Sequence, residues 1–399
     1  MLRTIDFDGV LVKTGACEVV SANPSMSAYR TWVQTRAALG TVAAAFVLAS
    51  AGCDSGTDPD AECTFEQDGY CWEDLGPAGA NVMALEETEW GLFAALRRGG
   101  VFRLAEGEWR ATSLDTSEMS WGSRYIQAML FVDQPNPWLF VSIHDARTYA
   151  EAAASGTLFA SGDGGATWER RDSGLVGPTN VKWAYSLVQH PAEPSTLLMG
   201  TDWPILRSRD GGRSWHYVFG SADAFGHYMN VVVSPRPPYR FWAGGEDGAG
   251  RGLLLTSQDD GDSWSNVTPE PRPAFARPLL AEEGGRVWVE QGWLTPLPAR
   301  LTYTDDGGGS WQTALEKGIG YLAQLETALY ATSAVLADSA ALPSSYDLVL
   351  YTSSDRGATW TEVPVPEGLA VASSIIADPA GQLLIGTRGD GVWALSRRE

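Results

Sequence analysis

The sequence predicts an all-β fold, a single β-propeller of four-stranded blades, on three observations. A turn motif recurs five times at near-constant spacing, short apolar strands alternate with Gly- and Pro-rich turns, and the composition disfavours long helices. Of 399 residues, 44 are Gly, 22 Pro and 17 Trp, and only 19% are charged. Long amphipathic helices carry more Lys and Glu than that. With 44% hydrophobic residues, the chain can bury a sizeable core.

The motif is Ser/Thr-x-Asp-x-Gly-x-Ser/Thr-Trp. Its Asp and Trp are Asp163 and Trp168, Asp210 and Trp215, Asp259 and Trp264, Asp306 and Trp311, and Asp355 and Trp360, the tryptophans lying 47, 49, 47 and 49 residues apart. Asp and Ser side chains can bond neighbouring backbone N–H groups and fix a turn. The Gly takes a backbone angle that other residues resist, and the Trp packs between sheets. A strand-like run precedes each motif, so each is a hairpin turn. Between motifs, an apolar strand, a Pro-containing turn and another apolar strand recur, as in Leu187 to Pro191 and then Leu197 to Gly200. Two strands here and two around the motif make one blade of four.

These five segments resemble the Asp-box (BNR) repeat of sialidases, sortilin-type receptors and photosystem-assembly propellers. The resemblance implies that the boxes lie on the face away from any ligand. Their Asp residues are then structural, and neither catalytic nor calcium-binding.

Five blades end at boxes, and a sixth, without one, spans Val82 to Thr112. The C-terminus supplies three further strands and stops one short, which would leave an open edge. The segment around Trp72 mirrors the one after Trp168, so Trp72 is expected in the outer strand of the last blade. The count is then seven blades closed by the N-terminal strand, with six or eight as alternatives.

The four cysteines divide by position. Residues 37–52 form a short apolar run with small residues before Cys53, preceded by Arg30 and Arg36. That run is shorter than the ~20 residues of a membrane span and reads as an export signal. Small residues before Cys53 resemble the lipobox of bacterial lipoproteins, in which that Cys is lipidated; Ser50 departs from its usual aliphatic residue. Residues 1–52 are thus expected to be leader, with Met26 as an alternative start, 53–70 a tether, and 71–399 the propeller. The expected location is the bacterial cell envelope, at the periplasm or outer surface. With Cys17 in the leader, Cys63 and Cys71 remain to form a disulfide. A metal site is the alternative, but no His or further Cys lies near them.

Function is expected on the face made by the 2–3 and 4–1 loops, opposite the boxes, because loop elaboration carries binding. The 2–3 loops offer Arg97 and Arg98; His144, Asp145, Arg147 and Tyr149 in a long insertion; and Asp202 with Trp203. Later blades add Glu246, Asp247 and Arg251, then Glu290 and Trp293, a long 333–346 stretch, and Arg388. The 4–1 segments add Lys182 and Trp183, His227 and Tyr228, and Arg277. Mixed carboxylates, arginines and aromatics suit a protein or carbohydrate ligand. Glu246, Asp247 and Glu290 are the candidates should the chain hydrolyse a glycoside. Against a sialidase, Phe102-Arg103-Leu104-Ala105 and Tyr239-Arg240-Phe241-Trp242 do not match that family's Phe/Tyr-Arg-Ile-Pro segment.

A net charge of −21 with no basic stripe argues against nucleic acid and against charge-driven docking on anionic lipid. Four His and no phosphate-binding or metallopeptidase motif predict no cofactor and no metal. The expectation is a non-catalytic monomer that meets a membrane only through an N-terminal lipid.

Overall fold

The computed structural model describes residues 10–12, 19–21, 63–114, 124–133, 135–145, 151–152, 156–177, 180–181, 183–202, 204–220, 227–292, 299–338 and 345–398. The chain divides into a unit at 1–54 and a unit at 55–399. The first holds a two-stranded antiparallel hairpin, Val10–Val12 with Val19–Ser21. The leader, Met26 and Cys53 otherwise lie outside the described residues.

The second unit is a propeller of seven blades, each built from four antiparallel strands. Blade 1 comprises Val82–Thr88, Gly91–Leu96, Gly100–Ala105 and Glu108–Ala111. Blades 2 to 6 begin at Arg124, Ser186, His227, Ala276 and Tyr321 and follow the same order inside to outside. Blade 7 takes Ala372–Ala377, Leu383–Thr387 and Val392–Arg397 from the C-terminus. Its fourth strand is Tyr70–Gly76, paired antiparallel with Val392–Arg397 so that Trp72 stands opposite Leu395. The expected closure by an N-terminal strand is therefore present. Six and eight blades are excluded.

The sheet of blade 7 also holds a fifth strand, Phe65–Gln67, joined to Tyr70–Gly76 by a two-residue turn. Asp68 and Gly69 both have positive φ there (52° and 77°), as a type I′ turn requires. The Cys63–Cys71 disulfide spans this hairpin. Trp72 is fully buried and donates its indole N–H to the Pro364 carbonyl of blade 6 at 2.8 Å.

Second strands are buried on both faces, which is why they read as continuous apolar runs. In Gly91–Leu96, Leu92, Ala94 and Leu96 pack towards blade 7, while Phe93 and Ala95 pack towards blade 2. Seven apolar clusters result, one between each pair of neighbouring blades, including blades 7 and 1. The core is a ring of inter-blade layers.

Candidate functional site

The five repeated turns share one face with the Pro-containing 1–2 turns and the same hydrogen bonds recur in each. At Asp259, Oδ1 accepts from the Ser257 hydroxyl (2.8 Å) and the Ser263 N–H (2.9 Å), while Oδ2 accepts from the Ser263 hydroxyl. The Ser257 hydroxyl oxygen also accepts the Gly261 N–H at 2.9 Å. Asp163, Asp210, Asp306 and Asp355 do the same. Bonds from the Ser263 and Thr359 side chains, then from backbone N–H, hold the Asp259 and Asp355 carboxyls at about 2.

The glycine of each turn explains its place in the pattern. Gly165, Gly212, Gly261, Gly308 and Gly357 all have positive φ, and an added Cβ would press on the preceding blade. At Gly212 it would lie 2.6 Å from the Phe140 ring, and at Gly308 2.6 Å from Val267. Each turn is thus a close-fitting contact between blades. Trp215 is buried and donates to the Arg171 carbonyl at 3.0 Å; Trp168, Trp264, Trp311 and Trp360 are half-buried.

On the opposite face the three carboxylate candidates sit in different settings. Glu290 is buried opposite Arg277 in the ladder of blade 5 and accepts from its Nε (3.0 Å) and Nη2 (2.7 Å). Arg277 Nη2 also donates to the Gly320 carbonyl at 2.6 Å, tying blade 5 to the entry of blade 6. Asp247 accepts from the N–H groups of Ala249 (2.9 Å) and Arg251 (3.1 Å), from Arg251 Nε (3.1 Å) and from Arg272 Nη2 (3.0 Å). Glu246, half-buried, stands opposite Gly252 on one side and His227 on the other. Two of the three carboxylates are therefore engaged in ion pairs that join loops and blades.

A second constellation crosses blades 7, 1, 2 and 3 at the same face. Asn81 enters blade 1; its carbonyl accepts the Arg97 N–H at 2.8 Å, and it bridges antiparallel to Arg388 of blade 7. Arg97 and Arg388 thus flank Asn81, with exposed Arg98 beside them. Burial, followed by the nearby Arg388 charge, lowers the Arg97 pKa, while Tyr125 opposes the shift. Tyr125 stacks on His144 with centroids 4.9 Å apart, and His144 meets Trp183 at 4.5 Å. Burial lowers the His144 pKa against the pull of Asp145 and Asp202. Asp145 is buried and lies 3.9 Å from Arg124. Asn81 Oδ1, His144 Nδ1 and Trp183 Nε1 are buried atoms without a hydrogen-bond partner among the described residues.

Arg147, Tyr149, Lys182, Trp203 and Trp293 lie outside the described residues, as do the side chains of His227 and Tyr228. Of the 333–346 stretch, residues 333–338 and 345–346 prove to be strand, the ends of Ala328–Asp338 and Ser345–Ser353, which pair antiparallel. Its Val335, Leu336 and Tyr346 are 53%, 46% and 48% exposed. Sequence reasoning missed Asn81 and Tyr125 as site residues. Both stand at the entry to a first strand, the position held by Arg277 in blade 5, so aligning strand entries across repeats would have found them. Arg272 was missed too, because its link to Asp247 crosses a 25-residue separation.

No family model matches the chain. It is 29% identical over 209 residues to a xyloglucanase of a Paenibacillus species, a match covering 48% of this chain and 17% of the relative. Among solved structures it is similar to a GH74 xyloglucanase from Xanthomonas campestris (TM-score 0.59, 21% identity, 82% of this chain and 54% of that one). A structure of YCF48 bound to D1 peptide is similar over 84% of this chain and 99% of that one (TM-score 0.54, 15% identity). The chain spans about half the length of the GH74 structures and a sixth of the curated relative. At these identities the structural likeness establishes the fold.

Proposed function

We propose that this is a non-catalytic propeller that binds a protein or a glycan through its 2–3 and 4–1 loop face. In this reading residues 1–52 are an export leader, and Cys53 carries a lipid that anchors the propeller at the bacterial cell envelope through the residues that precede the Cys63–Cys71 hairpin, which itself belongs to blade 7. The observation that carries the non-catalytic part is the state of the carboxylates. Glu290 is held by Arg277 and Asp247 by two arginines, so two of the three candidate carboxylates are committed to ion pairs that join loops and blades. Both ligand classes have precedent among the similar folds, one bound to a peptide and others xyloglucanases.

A second reading, glycoside hydrolysis at the same face, is favoured by the local identity to a xyloglucanase. Incubation with xyloglucan and with fluorogenic glycosides separates the two. The binding reading expects no release of product above a buffer blank. Release that disappears in Glu290→Gln or Asp247→Asn would establish the hydrolase. Anchoring has its own test: Cys53→Ser is expected to move the protein from membrane to soluble fractions, and an unchanged distribution would refute the lipid.

A further inference from the structure

We infer that the open strand edge of blade 6, at Ala334 to Leu336, takes up an extended segment of a partner protein as an added β-strand. This rests on the loop-face binding reading above and narrows its ligand to protein. The second strand of the blade, Ala328–Asp338, continues beyond its inner neighbour Tyr321–Leu325, whose pairing ends at Thr332. Among the described residues no strand pairs with Ala334 to Leu336 on that inner side. Register decides which groups are left open there. The Thr332 carbonyl accepts the Gly320 N–H at 2.8 Å, so the backbone groups of Thr332 point inward. Alternation then points those of Ala334 and Leu336 the same way. The third strand agrees. Tyr346 and Leu348, opposite Leu336 and Ala334, bond away from them, the Tyr346 carbonyl to the Val371 N–H (2.9 Å) and the Leu348 N–H to the Leu369 carbonyl (2.8 Å). One edge of this strand pair is therefore covered, and the other presents two N–H donors and two carbonyl acceptors.

The side chains specify the occupant further. Val335, Leu336 and Tyr346 are three of the four exposed large hydrophobic residues among those described. Leu336 and Tyr346 stand opposite each other on one face, and Val335 lies on the other. A strand added at the edge lays alternate side chains beside Leu336 and beside Val335, so a short run of β-branched or aromatic residues fits both. A strand edge that is to stay unpaired is commonly blunted by Lys, Pro or a bulge. Ala334-Val335-Leu336 carries none of these, and the register shifts only between Leu336 and Asp338. A saccharide lacks the repeating amides that such an edge matches. A second copy of this chain is disfavoured because each copy carries a net charge of −21. The same charge favours a segment flanked by Lys or Arg.

The probe is the peptide acetyl-Lys-Thr-Val-Val-Tyr-Thr-Lys-amide, titrated into the full chain by calorimetry and followed by amide hydrogen exchange. The peptide should bind and slow exchange of the Ala334 and Leu336 amides by about 10-fold or more. N-methylation of alternate peptide residues should abolish binding in one set and spare it in the other, because a single edge of the peptide is engaged. Ala334→Pro removes one edge donor where an edge strand tolerates proline, and should weaken the peptide about 10-fold. Leu336→Lys should also weaken it while leaving the backbone intact, and keeps the test open should Ala334→Pro lower the melting temperature. Absence of binding, or binding with unchanged exchange at Ala334 and Leu336, overturns the strand edge. If the peptide fails while another ligand is lost in Arg388→Gln, the loop-face reading stands without it. If the chain dimerises and Leu336→Lys restores the monomer, a second copy occupies the edge and the inference fails. If neither Leu336→Lys nor Arg388→Gln alters any ligand, both fail.

Discussion

Single residues in this propeller do their work at blade contacts. Gly357 has φ 82°, and a Cβ there would run into the Trp288 ring, whereas at Gly211, φ 68°, it would meet nothing within 4 Å. Gly211→Ala should therefore cost about 1 kcal/mol from backbone strain alone. Gly357→Ala should cost that and the additional displacement of Trp288, about 1–3 kcal/mol more. Urea denaturation midpoints check the difference; equal losses would contradict the inter-blade role. Acid–base behaviour also belongs to this scale. The carboxyls of Asp259 and Asp355 sit at about 2, below the unfolded range of about 3.9. Their contribution is thus present above about pH 4 and is lost as pH falls towards 2.

Glu86 runs the other way. Burial pushes its carboxyl up to about 8, against the Phe131 N–H that favours ionisation. Its contribution is full below the unfolded value of about 4.3 and is lost as pH rises through about 8. Stability should therefore decline between about pH 4.3 and pH 8, and Glu86→Gln should remove that decline. A decline over that window that persists in the variant would show that another group is responsible. The turn carboxylates were legible in the sequence because Ser257, Asp259 and Ser263 act within one short turn. The Arg277–Glu290 pair was not, because it depends on the register of two strands, which local spacing does not reveal.

Elements meet their hardest problem at ring closure, where the last blade must borrow a strand from the other end of the chain. Trp72 carries that contact, fully buried between Leu348 and Leu350 of blade 6 and Leu383, Ile385 and Trp393 of blade 7. Trp72→Ala should cost about 3–5 kcal/mol, read by denaturation. The Cys63–Cys71 loop closes over a separation of 8 residues. Its loss in Cys63→Ser should cost about 2–3 kcal/mol by chain entropy. No change in either variant would mean that the N-terminal strand is dispensable. The closing strand was legible because Trp72 repeats the rhythm of the other tryptophans. The added strand Phe65–Gln67 was not anticipated, although Asp68-Gly69 is a two-residue turn signal.

At the scale of the molecule, the ring sorts chemistry between two faces. The turn face spends its carboxylates on its own backbone. The loop face joins blades through Arg277, Glu290, Arg272 and Asp247, and leaves Arg388, Asn81, His144 and Trp183 along one rim. Ligand identity was the least legible property, because the rim assembles residues from four blades that share no local motif. The most direct measurement is a saccharide and peptide array probed with the parent protein, with Arg388→Gln on the loop face and with Arg209→Gln on the turn face. Ligands should disappear with Arg388→Gln and persist with Arg209→Gln. Ligands lost only with Arg209→Gln would place binding on the turn face and contradict the loop-face reading.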